Sequence, residues 1–216
     1  MPIQDTLRIL VTAGPTREYI DSVRYISNDS SGRMGIAIAA AAARRGHSVT
    51  LVHGPVSIRP PRGVRAIGVI SAAEMLKACL REWPRQDALV MAAAVADYTP
   101  ARRRATKLKK SSGELSLRLK PTPDVLRRLS RNRRADQVVI GFALEDTHAR
   151  RNAAEKLARK NLDAIVLNRP HVIGSADTAM EILLAGEPGW ITVPPCAKAA
   201  AATRLVRLVE RLHSQG

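Results

Sequence analysis

Short apolar runs and longer helical patterns take turns along this chain. "LRILVTA" (6–12) has the length and composition of a buried strand, and "GIAIAAAAARRG" (35–46) reads as a helix stopped by a glycine. "HSVTLVHG" and "VRAIGV" supply a second and a third strand, and "SAAEMLKACLREW" a helix with Ser71 as its N-cap. The alternation continues through "DALVMAAAVA" (87–96), "DVLRRLSRN", "QVVIGFALE", "THARRNAAEKLARKN" and "DAIVLN". Such a pattern predicts βαβ units in an α/β fold: a Rossmann-like, mostly parallel sheet with helices on both faces. The tail differs. "MEILLAG", a Glu-Pro-Gly turn and "WITV" predict a hairpin, and "AKAAAATRLVRLVERLH" a closing helix.

One stretch breaks the alternation. "YTPARRRATKLKKSSGELSLRLKPTP" (98–123) carries prolines, a basic run and Ser-Ser-Gly, then one short alternating strand, and predicts a flap with an edge element. Like charges and little apolar surface leave residues 103–113 expected to be poorly ordered without a ligand. No repeat, low-complexity tract or long linker divides the sequence, so a single domain over 1–216 is expected.

In open parallel sheets, ligands sit beyond the carboxyl ends of the strands. The loop 13–32 leaves the first strand at that edge and runs through "RYISNDSSGRMG" into a helix. Ser30, Ser31 and Gly32 are therefore candidate phosphate contacts at a helix start, with plain serine capping as the alternative. A nicotinamide fingerprint is missing: Gly14 stands far from Gly32 and Gly35, and "LVHGP" ends the second strand without a carboxylate for a ribose. No Walker A loop occurs either. Asp97 closes "MAAAVAD" at another carboxyl edge, where it could bond a base or ribose or merely cap a turn. The small residues before it leave room for a flat ligand.

Bulk properties narrow the field. A formal charge of +16 favours polyanionic ligands, but the basic residues are scattered and aromatics make up only 3%. That combination lacks the stacking platforms of a nucleic-acid-binding module. Only eight of the 35 basic residues are lysine, and five of those fall in two clusters: Lys107, Lys109 and Lys110 in the flap, Lys156 and Lys160 four apart on one helical face. Lysine is a compact charge on a flexible stem, suited to following a phosphate, although solvated surface charge explains such clusters too. Two cysteines make no disulfide framework or zinc site, and the five histidines (47, 53, 148, 171, 213) lack metal-ligand spacing, so no metal ligands are assigned. No G-x-S-x-G elbow, membrane-length apolar run or signal-peptide layout is present, which leads us to expect a cytoplasmic protein with no membrane partner.

Taken together, "VTAGPTREYIDSVRYISNDSSGRMG", "AAAVADYTP", "KLKK", "KPTPDVL", "VIGFALED" and "EKLARKNLD" resemble the phosphopantothenate–cysteine ligase family, also called phosphopantothenoylcysteine synthetases. The likeness runs from about Ile9 to the last helix; "RYISNxSSGxMG" is its most specific part, and "GFA" alone would say little. In many bacteria such a domain follows a flavin-dependent decarboxylase, whereas this chain opens almost on the ligase strand and so resembles a stand-alone form. The resemblance implies joining of 4′-phosphopantothenate and L-cysteine through an acyl-nucleotidylate, in coenzyme A synthesis, with CTP as co-substrate and Mg²⁺ as cofactor. It also implies a homodimer, with "ELSLRLK" (114–120) a candidate to pair across its two-fold, and a separate decarboxylase as a possible associate.

Carried over position by position, Asn28 matches the asparagine that handles the acyl-nucleotidylate; an amide can donate to the acyl oxygen without adding charge. Arg24 and Ala93 match substrate-side positions, and Lys107 the catalytic flap lysine that meets the phosphates. On the nucleotide side the resemblance gives Gly14, Ser30, Ser31, Gly32, Arg33, Met34 and Gly35, with Asp97 reading the base. Pro123, Asp124, Val125, Leu126 and Phe142 match the pocket wall, Lys156 and Lys160 its helical lysines. Arg33 stands where many relatives carry lysine, Asp146 in "GFALED" adds a negative charge near the pocket, and "SADTAM" matches its family segment poorly, so no site residue is carried beyond 168. Two other classes compete: an NAD(P)-dependent reductase on a similar sheet, and a basic nucleic-acid-binding module.

Overall fold

The apolar runs become strands and the periodic stretches helices, in the predicted order. The computed structural model describes residues 6–110, 112–169 and 176–215. The chain runs through β1 (Arg8–Ala13), β2 (Arg17–Tyr19), β3 (Tyr25–Ser27), α1 (Arg33–Arg44), β4 (Ser48–His53), β5 (Arg65–Gly68) and α2 (Ala72–Glu82). It continues with β6 (Ala88–Met91), β7 (Tyr98–Pro100), β8 (Leu119–Pro121), α3 (Val125–Arg131), β9 (Val138–Leu144) and α4 (Ala149–Arg159). β10 (Ala164–Asn168), β11 (Asp177–Leu184), β12 (Trp190–Ala197) and α5 (Lys198–His213) complete it.

Eight strands form one sheet in the order β12-β11-β10-β9-β6-β1-β4-β5. From β10 to β5 every pairing is parallel; β11 and β12 are the antiparallel hairpin expected of the tail, longer at both ends than the sequence suggested. Chain order reverses direction across the sheet between β1 and β6, the switch point at which doubly wound folds bind ligands. α1 and α5 cover one face and α2, α3 and α4 the other, so alternate residues of β1 enter different cores: Ile9 and Val11 meet Ile38 and Leu205, while Leu10 meets Met75 and Leu129. Burial on both faces is why β1 reads as an unbroken apolar run rather than an alternating one. Ser71 caps α2 as expected, its Oγ accepting from the Glu74 N–H at 3.2 Å.

Two readings need correction. The run 87–96 is a strand only to Met91, because Ala92–Asp97 leaves the ladder to bond with the loop after β1. "ELSLRLK" is not a free edge strand. Among its residues only Leu119 and Lys120 are extended as part of β8, which pairs antiparallel with β7 of the same chain at the base of the flap. Ser111 in the flap, His171 and Ser175 of "SADTAM" lie outside the described residues.

Candidate functional site

Two loops meet beyond the switch point, and hydroxyls hold them together. β1 ends at Ala13, and Gly14, at φ +76°, turns the chain so that its carbonyl accepts from the Ala94 N–H at 2.9 Å. The Thr12 and Thr16 hydroxyls accept from the N–H groups of Ala93 (3.1 Å) and Ala96 (3.0 Å). Thr122 Oγ1 donates to the Ala96 carbonyl at 2.6 Å. Asn28 completes the arrangement: its Nδ2 donates to the carbonyls of Ala94 (3.2 Å) and Val95 (3.1 Å). An oxygen in that place would face two acceptors, so these partners fix the amide orientation and leave Oδ1 as the atom available to a ligand.

The loop so held forms one wall of a cavity of about 320 Å³. Ala93, Val95 and Asp97 contribute from that wall, Pro121–Leu126 from the chain entering α3, Phe142 from β9, Lys156 from α4 and Lys160 from its C-cap. Asp124 is the N-cap of α3, its Oδ1 accepting from the Arg127 N–H at 3.0 Å and from Lys160 Nζ at 2.9 Å. Burial opposes the Asp124 charge, but the Arg127 N–H and Lys160 outweigh it and hold the carboxyl below its usual range. Lys156 Nζ donates to the Phe142 carbonyl at 2.8 Å. Burial, then the neighbouring Lys160 charge, push the Lys156 ammonium below the ordinary lysine value, with Glu145 the strongest opposing carboxylate. Glu145, with Asp124 and Asp97 after it, and not the expected Asp146, supplies the negative charge that acts on Lys156.

A second group gathers at the start of α1. Gly32, at φ +72°, occupies the N-cap, and no side chain caps this helix. Ser30 Oγ accepts from the Gly32 N–H at 3.4 Å, and the first turn holds no acid. Capping of α1 is therefore not what Ser30 and Ser31 do. Gly14 and Gly32, distant in sequence, touch: a Cβ on Gly32 would lie 3.2 Å from Gly14 N and 2.6 Å from Val56 Cγ1. Gly35 serves packing, since a Cβ there would meet Ala13 Cβ at 2.5 Å and the Thr12 carbonyl at 2.6 Å. Met34 packs against the core beneath α1. Arg33 lies near Lys198 at the start of α5, where burial and then the Arg33 charge lower the lysine's pKa.

Nine of the residues expected at the site thus line one cavity: Ala93, Asp97, Pro123 to Leu126, Phe142, Lys156 and Lys160. Gly14 and Ser30 to Gly35 form the neighbouring helix start, and Asn28 bridges the two groups. Arg24 and Lys107 lie apart from the cavity lining. Lys107 is exposed on the flap, and the Arg24 guanidinium is engaged by Asp21, at 2.6 Å, and by the Leu108 carbonyl, at 2.9 Å. In the segment 103–113, expected to be poorly ordered without a ligand, the Arg104 N–H donates to the Ile20 carbonyl at 2.9 Å, and the Arg103 guanidinium lies 4.9 Å from the Tyr19 ring centroid. The sequence reading missed Thr12, Thr16, Thr122 and Asp21. For Thr12 a signal exists, a buried hydroxyl inside an otherwise apolar strand.

The chain is similar to known proteins over nearly its whole length. Residues 5–212 match the family described as DNA/pantothenate metabolism flavoprotein C-terminal domain. The chain is 50% identical over 162 residues to a cysteine/cysteine sulfinic acid decarboxylase from an unknown prokaryotic organism, covering 74% of this chain and 45% of that protein. It is 41% identical, over an alignment of 217 residues, to the coenzyme A biosynthesis bifunctional protein CoaBC of Vibrio vulnificus (strain YJ016), covering 98% of this chain and 53% of the relative. The chain therefore spans about half the length of the curated relatives it matches. The crystal structure of the C-terminal domain of a CoaBC protein superposes with a TM-score of 0.85 at 34% identity, covering 97% of each chain.

Proposed function

Because this chain belongs to the DNA/pantothenate metabolism flavoprotein C-terminal domain family, we propose that it joins 4′-phosphopantothenate to L-cysteine at the expense of CTP. In the first step the substrate carboxylate attacks the α-phosphorus of CTP; the bond to the β-phosphate breaks and pyrophosphate leaves. In the second, the cysteine amine attacks the acyl carbon, an amide forms, CMP departs with the bridging oxygen and the amine gives up a proton. The observation that carries this reading is the cavity at the switch point, where Asp97, Phe142 and two lysines meet beside an uncapped helix start.

Each part suits an anionic nucleotide. Asp97 is an acceptor at the cavity for the exocyclic amine of a cytosine, with Ala93 and Phe142 as flat walls. Lys156 uses one of its three donors on the Phe142 carbonyl, which leaves two for the nucleotide. The free N–H groups of α1, with Ser30, Ser31 and Arg33, cradle phosphates. Lys107 offsets the charge that develops as pyrophosphate leaves. Asn28, with both amide protons on carbonyls, offers Oδ1 to the attacking amine rather than a proton to the acyl oxygen.

No group of three His, Cys, Asp or Glu side chains able to hold a metal occurs among the described residues. Mg²⁺ is therefore proposed as a companion of the triphosphate, held mainly by phosphate oxygens and water. We also propose a homodimer, since Val23, Tyr25, Tyr98, Leu115 and Leu119 are exposed on the neighbouring β2–β3 and β7–β8 arms. A flavin-dependent decarboxylase would take the product. Among the described residues no helix is long and apolar enough to cross a membrane.

The test supplies phosphopantothenate with each nucleoside triphosphate in turn, with and without cysteine, and follows pyrophosphate. Release with CTP that yields the amide only when cysteine is present supports the proposal; silence with every triphosphate sinks it. Sedimentation at micromolar concentration, showing monomer alone, would remove the dimer.

A further inference from the structure

The β2–β3 turn holds a carboxylate that none of the steps above uses. Asp21 is completely buried. Its Oδ1 accepts from the N–H groups of Val23 and Arg24, each at 2.8 Å. Its Oδ2 accepts from Arg24 Nε (3.0 Å), Arg24 Nη2 (2.6 Å) and the Leu108 N–H (3.0 Å). A buried charge is tolerated only with such a full set of donors. The Arg24 N–H foremost, against the effect of burial, holds the carboxyl well below the usual carboxylate range. Arg24 Nη2 also donates to the Leu108 carbonyl at 2.9 Å.

Leu108, in the flap, is thereby gripped at both its N–H and its C=O, much as a strand neighbour would grip it. The segment needs such a hold. Arg102, Arg103, Arg104, Lys107, Lys109 and Lys110 repel one another and bury little apolar surface. Arg24 Nε and both Nη2 protons go to Asp21 and Leu108, so the two Nη1 protons remain for a substrate anion while the grip stays closed.

We propose that Asp21 is a positioning residue: with Arg24 it forms a two-point latch on Leu108 that docks the flap on the β2–β3 hairpin and presents the adjacent Lys107 to the nucleotide phosphates. The presentation of Lys107 rests on the ligase reading; the latch does not.

The experiment compares the full chain with Asp21→Asn and Leu108→Pro. The first turns part of the acceptor into a donor that faces donors, and the second removes the gripped N–H from the flap side. Without any ligand, hydrogen exchange of the remaining amides in 103–110 should quicken by about tenfold in each variant, the scale of one hydrogen bond to a charged group. The rate of pyrophosphate release should fall by a similar factor with CTP binding little changed, and adding Lys107→Ala to either variant should cost less than it costs the parent, because the two changes act through one contact. A merely structural Asp21 would give full additivity. Unchanged flap exchange in both variants overturns the latch, and faster exchange with full additivity overturns the positioning role. If Asp21→Asn fails to fold, Leu108→Pro, altered only in the exposed flap, still decides. Failure of the parent to release pyrophosphate would sink the ligase reading instead, while the exchange data would still judge the latch.

Discussion

The cavity wall and the flap present the same kind of charge in opposite settings. Lys156 on α4 and Lys160 at its C-cap each have a fixed partner, the Phe142 carbonyl and the Asp124 carboxylate. Lys107 projects from an exposed segment whose neighbour Leu108 is held from outside, by Asp21 and Arg24. The first setting is pre-organised and suits recognition, because each lysine already holds a fixed partner. The second suits a charge that must meet a leaving group as it departs. Changes in the wall should therefore alter which nucleotide is held and how tightly, and changes in the flap the rate of a step.

The largest effect is expected from Lys107→Ala. Loss of one contact to developing charge typically lowers a rate by about 10²–10³-fold. Pyrophosphate release should fall by that order, while CTP binding by equilibrium titration moves much less. A drop in binding as large as the drop in rate would erase the distinction between wall and flap.

Asn28→Asp ranks next and sharpens the comparison, since Asn28 joins the wall to the loop before α1. The new carboxylate oxygens would face the carbonyls of Ala94 and Val95, which now accept from Nδ2. We expect acyl-cytidylate to accumulate in quenched samples and product to fall by about 10²-fold, as for other misplaced polar contacts. Triphosphate KM should rise too, because Ala93 and Val95 line the cavity. Normal product formation would contradict the assignment.

Gly35→Ala tests whether the glycine run serves packing or phosphate. The added Cβ would sit 2.5 Å from Ala13 Cβ and 2.6 Å from the Thr12 carbonyl, both on the central strand. Overpacking of this kind costs about 1–3 kcal/mol. Thermal melting should drop accordingly, with CTP affinity changed little per folded molecule. A stable variant that no longer binds CTP would return Gly35 to the phosphate site.

What could be read in the sequence follows from how local each signal is. The strands and helices came from apolar runs that are continuous because both faces of the sheet are buried, as in β1. Asp97 and the Lys156–Lys160 pair stood out locally, at a strand's carboxyl edge and as a lysine cluster, whereas Phe142 was legible only through the family likeness. Thr16 bonds to Ala96, 80 positions away, and Asp21 to Leu108, 87 away, and no local pattern marks such pairs. "ELSLRLK" misled for the reverse reason. Its alternation is real, but leucines at 115, 117 and 119 are all exposed, and the pairing begins only where Leu119 meets Pro100. Glycines at 14 and 32 escaped the fingerprint test because they meet in space rather than in sequence.

The smallest effect concerns a proton. Burial and the Lys160 charge depress the Lys156 pKa. A lysine whose folded pKa lies below its unfolded value, about 10.4, binds fewer protons in the native state between those two values, so this group's contribution to stability rises with pH across that window. A bound polyanion reverses the cause: phosphate charge beside Lys156 favours the ammonium and lifts its pKa back. CTP binding should therefore take up a fraction of a proton at pH values near the depressed pKa. Calorimetric titrations in two buffers of different ionisation enthalpy read this directly, as a buffer-dependent heat. Lys156→Met keeps the apolar stem and should abolish the uptake, whereas Lys107→Ala should leave it intact, because Lys107 is already exposed. Proton uptake that vanishes with Lys107→Ala and survives Lys156→Met would mean that the flap, not the wall, carries the charge on which nucleotide binding depends.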